Sequence, residues 1–333
     1  MILIWAKFLI CVLIIVLAGK KAARYGDAIS EKTGLGELWV GVTFLAIITS
    51  IPELFTGIGA VALVKEPDLA IGDLFGSNIL NLLIIALLDV AYNNGVLLTV
   101  VTRGGHLRTA AMGIVLAGLA SAFVMISSTH DMGIGWLGLY TPIILLLYLL
   151  AMKVVFSYER SHPQEEEEES KYEEMSLRRT YLLFGLSGVF IIGAAIWMAF
   201  IGDEIANRMH WEQSFVGSVF IAVTTSLPEV VVSFTALRIG AVNMAVGNML
   251  GSNLCNMAII GIVDLFYWEA PVLSAVSQSN AFTGLIVLFM SGIVIAGLLL
   301  RTEHKPRLRA SWYALALIIL YLAGVYAAFA MAG

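Results

Sequence analysis

The chain has 333 residues, of which 59% are hydrophobic and only 13% charged, with a formal charge of −5 and a mean hydropathy of +0.91. Soluble domains carry about 25% charged residues, so a chain this apolar cannot cover its own surface in water, and a soluble globule is excluded.

The charges fall between apolar runs of about twenty residues, the length that crosses a hydrocarbon core of ~30 Å. In that solvent every backbone polar group must be paired internally. The length of the runs and their lack of alternation exclude barrel strands. The expected fold class is an all-α membrane protein.

Ten spans are predicted, at 2–18, 36–64, 68–91, 109–127, 135–156, 180–201, 212–237, 242–264, 281–300 and 310–331. The first has no basic segment before it and no clear small-residue cleavage site after it, so it reads as a retained span rather than a signal peptide. Basic residues gather in the odd-numbered connections: Lys20, Lys21, Arg24 and Lys32; Arg103 and Arg108; Arg160, Lys171, Arg178 and Arg179; Arg238; and Arg301, Lys305, Arg307 and Arg309. Only Lys65 and Arg208 fall in the even ones. The positive-inside bias then places the odd connections in the cytoplasm of a multi-pass cell-membrane protein, with both termini outside.

The connection at 157–179 is the one linker, and its Glu165–Glu169 run must be solvated. It reads as a cytoplasmic hinge between a first half, 1–156, and a second, 180–333; a cation-attracting or regulatory role is the weaker alternative. Cys11 and Cys255 lie inside apolar runs and read as small packing residues. His106, His130, His162, His210 and His304 fall in connections or at span ends, with no metal-ligand spacing.

The two halves share a repeat. GVTFLAIITSIPELF starts at Gly41 and is followed by IGDLFGSNILNLL; GSVFIAVTTSLPEVV starts at Gly217 and is followed by VGNMLGSNLCNMA. Thr49-Ser50-Ile51-Pro52-Glu53 aligns with Thr225-Ser226-Leu227-Pro228-Glu229, Gly76-Ser77-Asn78 with Gly251-Ser252-Asn253, and Asn81 with Asn256. Chance likeness between apolar helices matches Leu with Val, not Pro-Glu with Pro-Glu. The copies, about 36–91 and 212–264, are five predicted spans apart. An odd number makes them point in opposite directions, an architecture in which transporters place their binding site near the midplane.

Glu53 and Glu229 lie near the middle of their spans, where an ionised carboxylate costs about 2.5–3.5 kcal/mol on insertion scales. They are expected to face each other and share a cation; protonated structural acids are the alternative. Pro52 and Pro228 remove the hydrogen bonds to the carbonyls of Ile48 and Thr224, so both helices are expected to break there. Thr49 and Glu53 share a helix face, as do Thr225 and Glu229. Carboxylates, hydroxyls and freed carbonyls are the hard oxygens that calcium or sodium prefers.

Asp73, Ser77 and Asn81 recur every four residues, as do Asn248, Ser252 and Asn256, giving each partner helix a polar stripe that lines a site or bonds helix to helix. Gly72, Gly76, Gly247 and Gly251 read as close-packing positions. Asp73 either supplies a third negative charge or serves as a cap or packing hydrogen bond near the start of its helix. Gly72-Asp73 matches half of an intramembrane aspartyl protease pattern, but no second Asp fits, and no enzyme activity is expected.

These paired segments resemble the α-repeats of the cation/calcium exchanger superfamily, in particular its sodium/calcium exchanger branch. The resemblance implies ten helices in two inverted five-helix repeats, with calcium and sodium moving in opposite directions by alternating access and with no cofactor. It makes Glu53 and Glu229 the central ligands. Thr49, Ser50, Thr225 and Ser226 become hydroxyl or carbonyl ligands, Ser77, Asn81, Ser252 and Asn256 flanking ligands, and Ala46 and Ala222 backbone-carbonyl ligands. Ile48 and Thr224 stand where the family usually has Gly, Asn256 where it often has an acid, and Asp73 where Asn is usual. Proton-coupled calcium antiport is the alternative function, with a passive cation channel behind it. Inorganic cations and the lipid bilayer are the partners expected; nothing points to nucleic acid, and oligomeric state is not legible.

Overall fold

The computed structural model describes residues 2–127, 130, 132–162, 171–209, 224–301 and 310–332. Its helices are α1 (Ile2–Thr33), α2 (Glu37–Val64), α3 (Pro67–Ala91), α4 (Arg103–Ser127), α5 (Tyr140–Ser161), α6 (Leu177–Arg208), α7 (Leu227–Arg238), α8 (Val242–Asp264), α9 (Ser279–Leu300) and α10 (Trp312–Ala332). Among the described residues, eight helices are long and apolar enough to cross a membrane. The chain is a multi-pass, essentially all-helical membrane protein. One departure from all-α is a two-residue antiparallel pair, β1 (Gly133–Ile134) with β2 (Leu137–Gly138), which occupies the expected start of the fifth span.

The chain forms two compact units, Met1–Pro52 with Phe156–Met249 and Glu53–Val155 with Leu250–Gly333. Each draws elements from both sequence halves, and the divisions fall inside α2, α5 and α8.

In the first unit α1 packs on α6 and α7. Ile4, Cys11 and Ile15 of α1 meet Ala194, Ala195, Met198, Ile201 and Ile205 of α6, all at helical spacing. Leu3, Leu9, Ile10, Leu13 and Leu17 lie on the opposite, exposed face, so this helix is apolar all round, as a lipid-facing span is. Its end was misplaced from sequence: Lys20, Lys21, Arg24 and Lys32 stand on continuous helix, not in a connection. Lys, Arg and Ala are good helix formers, and the helix stops only at Gly34, whose positive φ of 64° ends it.

In the second unit α9 packs on α4, α3 and α10, and α10 packs on α3. A Cβ on Gly284 of α9 would stand 1.9 Å from Ser121 Oγ of α4, so this crossing requires a glycine. The apolar stretches of α3 and α8 are 72% and 94% buried, against 28–44% for the other six spans among the described residues. The two helices that carry the polar stripes are therefore the most enclosed.

The proline expectation is half right. At Pro228 the helix is interrupted: Ser226 sits at φ −90°, ψ 10°, and α7 starts at Leu227 with Pro228 in its first turn. At Pro52 it is not, because helical geometry runs through from Ala46 to Gly59. The irregularities of α2 are instead two π turns, Gly41–Leu45 and Ala60–Val64. Proline's fixed φ is itself helical, so losing one hydrogen bond need not end a helix, and π turns recur at functional sites.

Candidate functional site

The first unit holds Ala46, Thr49, Ser50, Thr225, Ser226 and Glu229. Glu229, in the first turn of α7, is fully buried; Thr49 of α2 and Ser226, just before α7, are fully buried as well, Ser50 is buried, and Thr225 is half-buried. Ala46 follows the first π turn, its N–H reaching back to the Gly41 carbonyl, and its own carbonyl accepts from Thr49 Oγ1 at 3.3 Å. One turn beyond Glu229, buried Ser233 accepts from Asn248 Nδ2 of α8 at 2.9 Å, which ties the polar stripe of α8 to the helix bearing the acid. Close backbone packing brings α2 to α8: a Cβ on Gly41 would lie 2.5 Å from the Met244 carbonyl oxygen, and one on Gly247 3.1 Å from that of Leu38. Ala222 lies outside the described residues.

The second unit holds Glu53, Asp73, Ser77, Asn81, Ser252 and Asn256. Glu53 is 1% exposed, and Ser77, Asn81, Ser252 and Asn256 are buried. Asp73 is half-buried and accepts from Thr56 Oγ1 at 3.5 Å; Thr56 Oγ1 also lies 3.1 Å from the carbonyl of Glu53. Asp73 lies well inside α3, so it is not a helix cap. Asn256 Nδ2 donates to Ser77 Oγ at 3.1 Å and to Asn78 Oδ1 at 3.0 Å, joining α8 to α3. Among the described residues nothing lies within 4 Å of a Cβ built on Gly76, so they show no close packing there.

Several of these oxygens are buried with no hydrogen-bond partner among the described residues: Ser50 Oγ, Ser226 Oγ and Asn248 Oδ1 in the first unit, Asn81 Oδ1 and Asn256 Oδ1 in the second. Leaving a buried polar atom unmatched costs about 1–3 kcal/mol, so in each unit these motif oxygens are suited to a ligand. Neutral oxygens with few carboxylates suit a hard cation. Among the described residues no group of three or more His, Cys, Asp or Glu gathers as a metal site. Low charge density fits an ion that must leave again, since calcium affinity rises with the number of charged ligands.

Two further acids, not singled out from sequence, organise the second unit. Asp89 and Asp264 end α3 and α8, each eight residues past the aligned Asn81 and Asn256, and both are fully buried. Asp89 Oδ1 accepts from Leu97 N (2.9 Å) and Tyr313 Oη (2.7 Å), and Oδ2 from Ser311 N (2.9 Å). Asp264 Oδ1 accepts from Val272 N (2.6 Å) and Tyr140 Oη (2.7 Å), and Oδ2 from Gly138 N (2.8 Å) and Thr141 Oγ1. Each tyrosine oxygen accepts in turn from the next backbone N–H, Leu98 to Tyr313 and Leu273 to Tyr140. The offsets match residue for residue, and each clamp joins an acid of one sequence half to a tyrosine of the other. Extending the repeat alignment past Asn81 and Asn256 would have revealed the acids, but not their partners.

Comparison with known proteins agrees with the motifs. The family model described as sodium/calcium exchanger protein matches residues 3–157 and 179–330. The inner membrane protein YrbG of Escherichia coli K12 is 25% identical over 263 residues, 78% of each chain. The sodium/calcium exchanger MaX1 of Methanosarcina acetivorans is 32% identical over 136 residues, 40% of this chain and 35% of that one. A structure of the sodium-calcium exchanger NCX_Mj, soaked with 2.5 mM Na+ and 0.1 mM Ca2+, superposes with a TM-score of 0.74 over 98% of both chains at 19% identity, and so shares the fold. With a family match over both halves and a shared fold, the chain belongs to the sodium/calcium exchanger family, and so to the cation antiporters.

Proposed function

We propose that the chain exchanges calcium for sodium across the cell membrane by alternating access, with Glu53 and Glu229 as its ion-binding carboxylates. The observation that carries this reading is that both copies of one motif bury a glutamate, 1% and 0% exposed, in an apolar helical protein. Among the described residues, buried hydroxyl and amide oxygens at motif positions have no hydrogen-bond partner in each unit. Two carboxylates neutralise one Ca2+ or two Na+. Thr49, Ser50, Thr225, Ser226, Ser77, Asn81, Ser252 and Asn256 supply neutral oxygens, and Ala46 and Ala222 supply carbonyls. Asp73, tied through Thr56 to the helix that carries Glu53, supplies a third charge when a third sodium is carried.

Ten crossings in two inverted halves, 1–156 and 180–333, complete the proposal, with the acidic linker cytoplasmic and both termini outside. The basic residues support the orientation. The reciprocal aspartate–tyrosine clamps support the repeat, since contacts swapped between halves at matching offsets are what a two-fold relation generates.

In proteoliposomes, an outward sodium gradient at fixed pH should drive uptake of radiolabelled calcium. Glu53→Gln and Glu229→Gln should reduce it to background in protein that still runs as a monodisperse peak. Uptake driven by a pH gradient without sodium assigns the coupling ion as the proton. Wild-type exchange in both Gln variants overturns the site.

A further inference from the structure

Asn78 and Asn253 are equivalent residues of the two GSN triplets, yet they are engaged differently. Asn78 is 1% exposed. Its Nδ2 faces the backbone carbonyl of Asn253 at 3.5 Å, and a carbonyl can only accept. That fixes the amide of Asn78: its nitrogen is toward Asn253, and its oxygen is toward Asn256. The Asn256 group that meets Asn78 Oδ1 at 3.0 Å must then be a donor, so it is Nδ2, which also reaches Ser77 Oγ at 3.1 Å. The remaining atom, Asn256 Oδ1, is buried and has no partner among the described residues. In the other copy neither amide atom of Asn81 nor Asn253 Oδ1 has such a partner. Among the described residues, two asparagines in matching places are thus set differently: Asn78 holds Asn256 in one orientation, and no described residue bonds the amide of Asn81.

We propose that Asn78 is a positioning residue that fixes the amide of Asn256 so that Oδ1, and not Nδ2, is presented to the transported cation. Asn78 thereby selects a neutral residue at position 256. An ionised aspartate there puts a carboxylate oxygen against Asn78 Oδ1, two acceptors about 3.0 Å apart, and turning Asn78 to donate sets its oxygen toward the Asn253 carbonyl. The inference rests on the proposed cation site and adds a residue that acts on it through Asn256.

The test is a double-mutant cycle on calcium-dependent exchange in proteoliposomes, reading KM and kcat separately. Groups in one hydrogen-bond network couple by roughly twofold or more in equilibrium terms. Asn78→Leu should raise the KM for calcium about fivefold or more with little change in kcat, and should have almost no further effect on KM in an Asn256→Ala background. Asn256→Asp should be impaired beside Asn78 and partly restored by Asn78→Leu, a rescue that a purely structural role does not give. Asn78→Ser repeats the cycle if the leucine variant does not fold. Additive effects, or no rescue of Asn256→Asp, overturn the proposal. Glu53→Gln and Glu229→Gln run in parallel separate the two failures: if they keep exchange, the site itself is wrong, whereas their loss with an additive cycle removes only the role of Asn78.

Discussion

Replacing Asp264 by Asn tests whether the clamps hold the second unit together. The native carboxylate accepts four hydrogen bonds, from Gly138 N, Tyr140 Oη, Thr141 Oγ1 and Val272 N. The amide keeps one oxygen, and so two of these bonds, while its NH2 group faces the other two donors. Each buried donor left unmatched costs about 1–3 kcal/mol, so a loss of about 4 kcal/mol is expected, or roughly 8 °C at about 2 °C per kcal/mol for a chain of this size. Tyr140→Phe removes one bond to the acid and strands the Leu273 N–H, a loss of about 2 kcal/mol. At Asp89→Asn the amide oxygen can keep Leu97 N and Tyr313 Oη, which leaves the Ser311 N–H facing the new NH2 among the described donors, so a loss of about 2 kcal/mol is expected. Thermal unfolding of detergent-purified protein measures all three, and the Asp264→Asn/Tyr140→Phe double variant should lose less than the sum. A shift below about 2 °C for Asp264→Asn, or strict additivity, refutes the clamp as a stabilising unit.

Gly41→Ala should destabilise the first unit by about 1–3 kcal/mol, because the new methyl meets the Met244 backbone carbonyl at 2.5 Å, where no flexible side chain can give way; unchanged unfolding temperature and calcium KM would remove that contact from the account. Asp73→Asn keeps an oxygen for Thr56 Oγ1 and removes only charge, so folding should be unaffected while the charge moved per cycle changes. Identical voltage dependence in the two proteins rejects Asp73 as a third carboxylate.

Much of this was legible because each helix had to solve the same solvent problem. The span at 242–264 matches α8 at both ends, since charge and turn residues bound it. The end of α1 was not legible: Lys20 and Arg24 mark where lipid stops, and nothing in that marks where a helix stops. Gly133–Gly138 hid a tight hairpin inside what read as the start of a span. Glu53, Glu229, Ser77 and Asn256 stood out because a polar residue deep in an apolar run has few bland explanations. Asp89 and Asp264 did not, because an acid at a span end looks like a solvated boundary. Only coordinates reveal that tyrosines more than a hundred residues away, Tyr313 and Tyr140, enclose them.

Chain order gives the clamps a timetable. The carboxylate of Asp89 is synthesised 224 residues before the Tyr313 hydroxyl that caps it. Until α10 arrives, the nascent protein carries an acid whose native donors include groups not yet made, while the matching acid at Asp264 finds Tyr140 already waiting. Docking of α10 thus completes the Asp89 clamp, and a product that stops short of Ser311 lacks two of its donors, the Ser311 N–H and the Tyr313 hydroxyl.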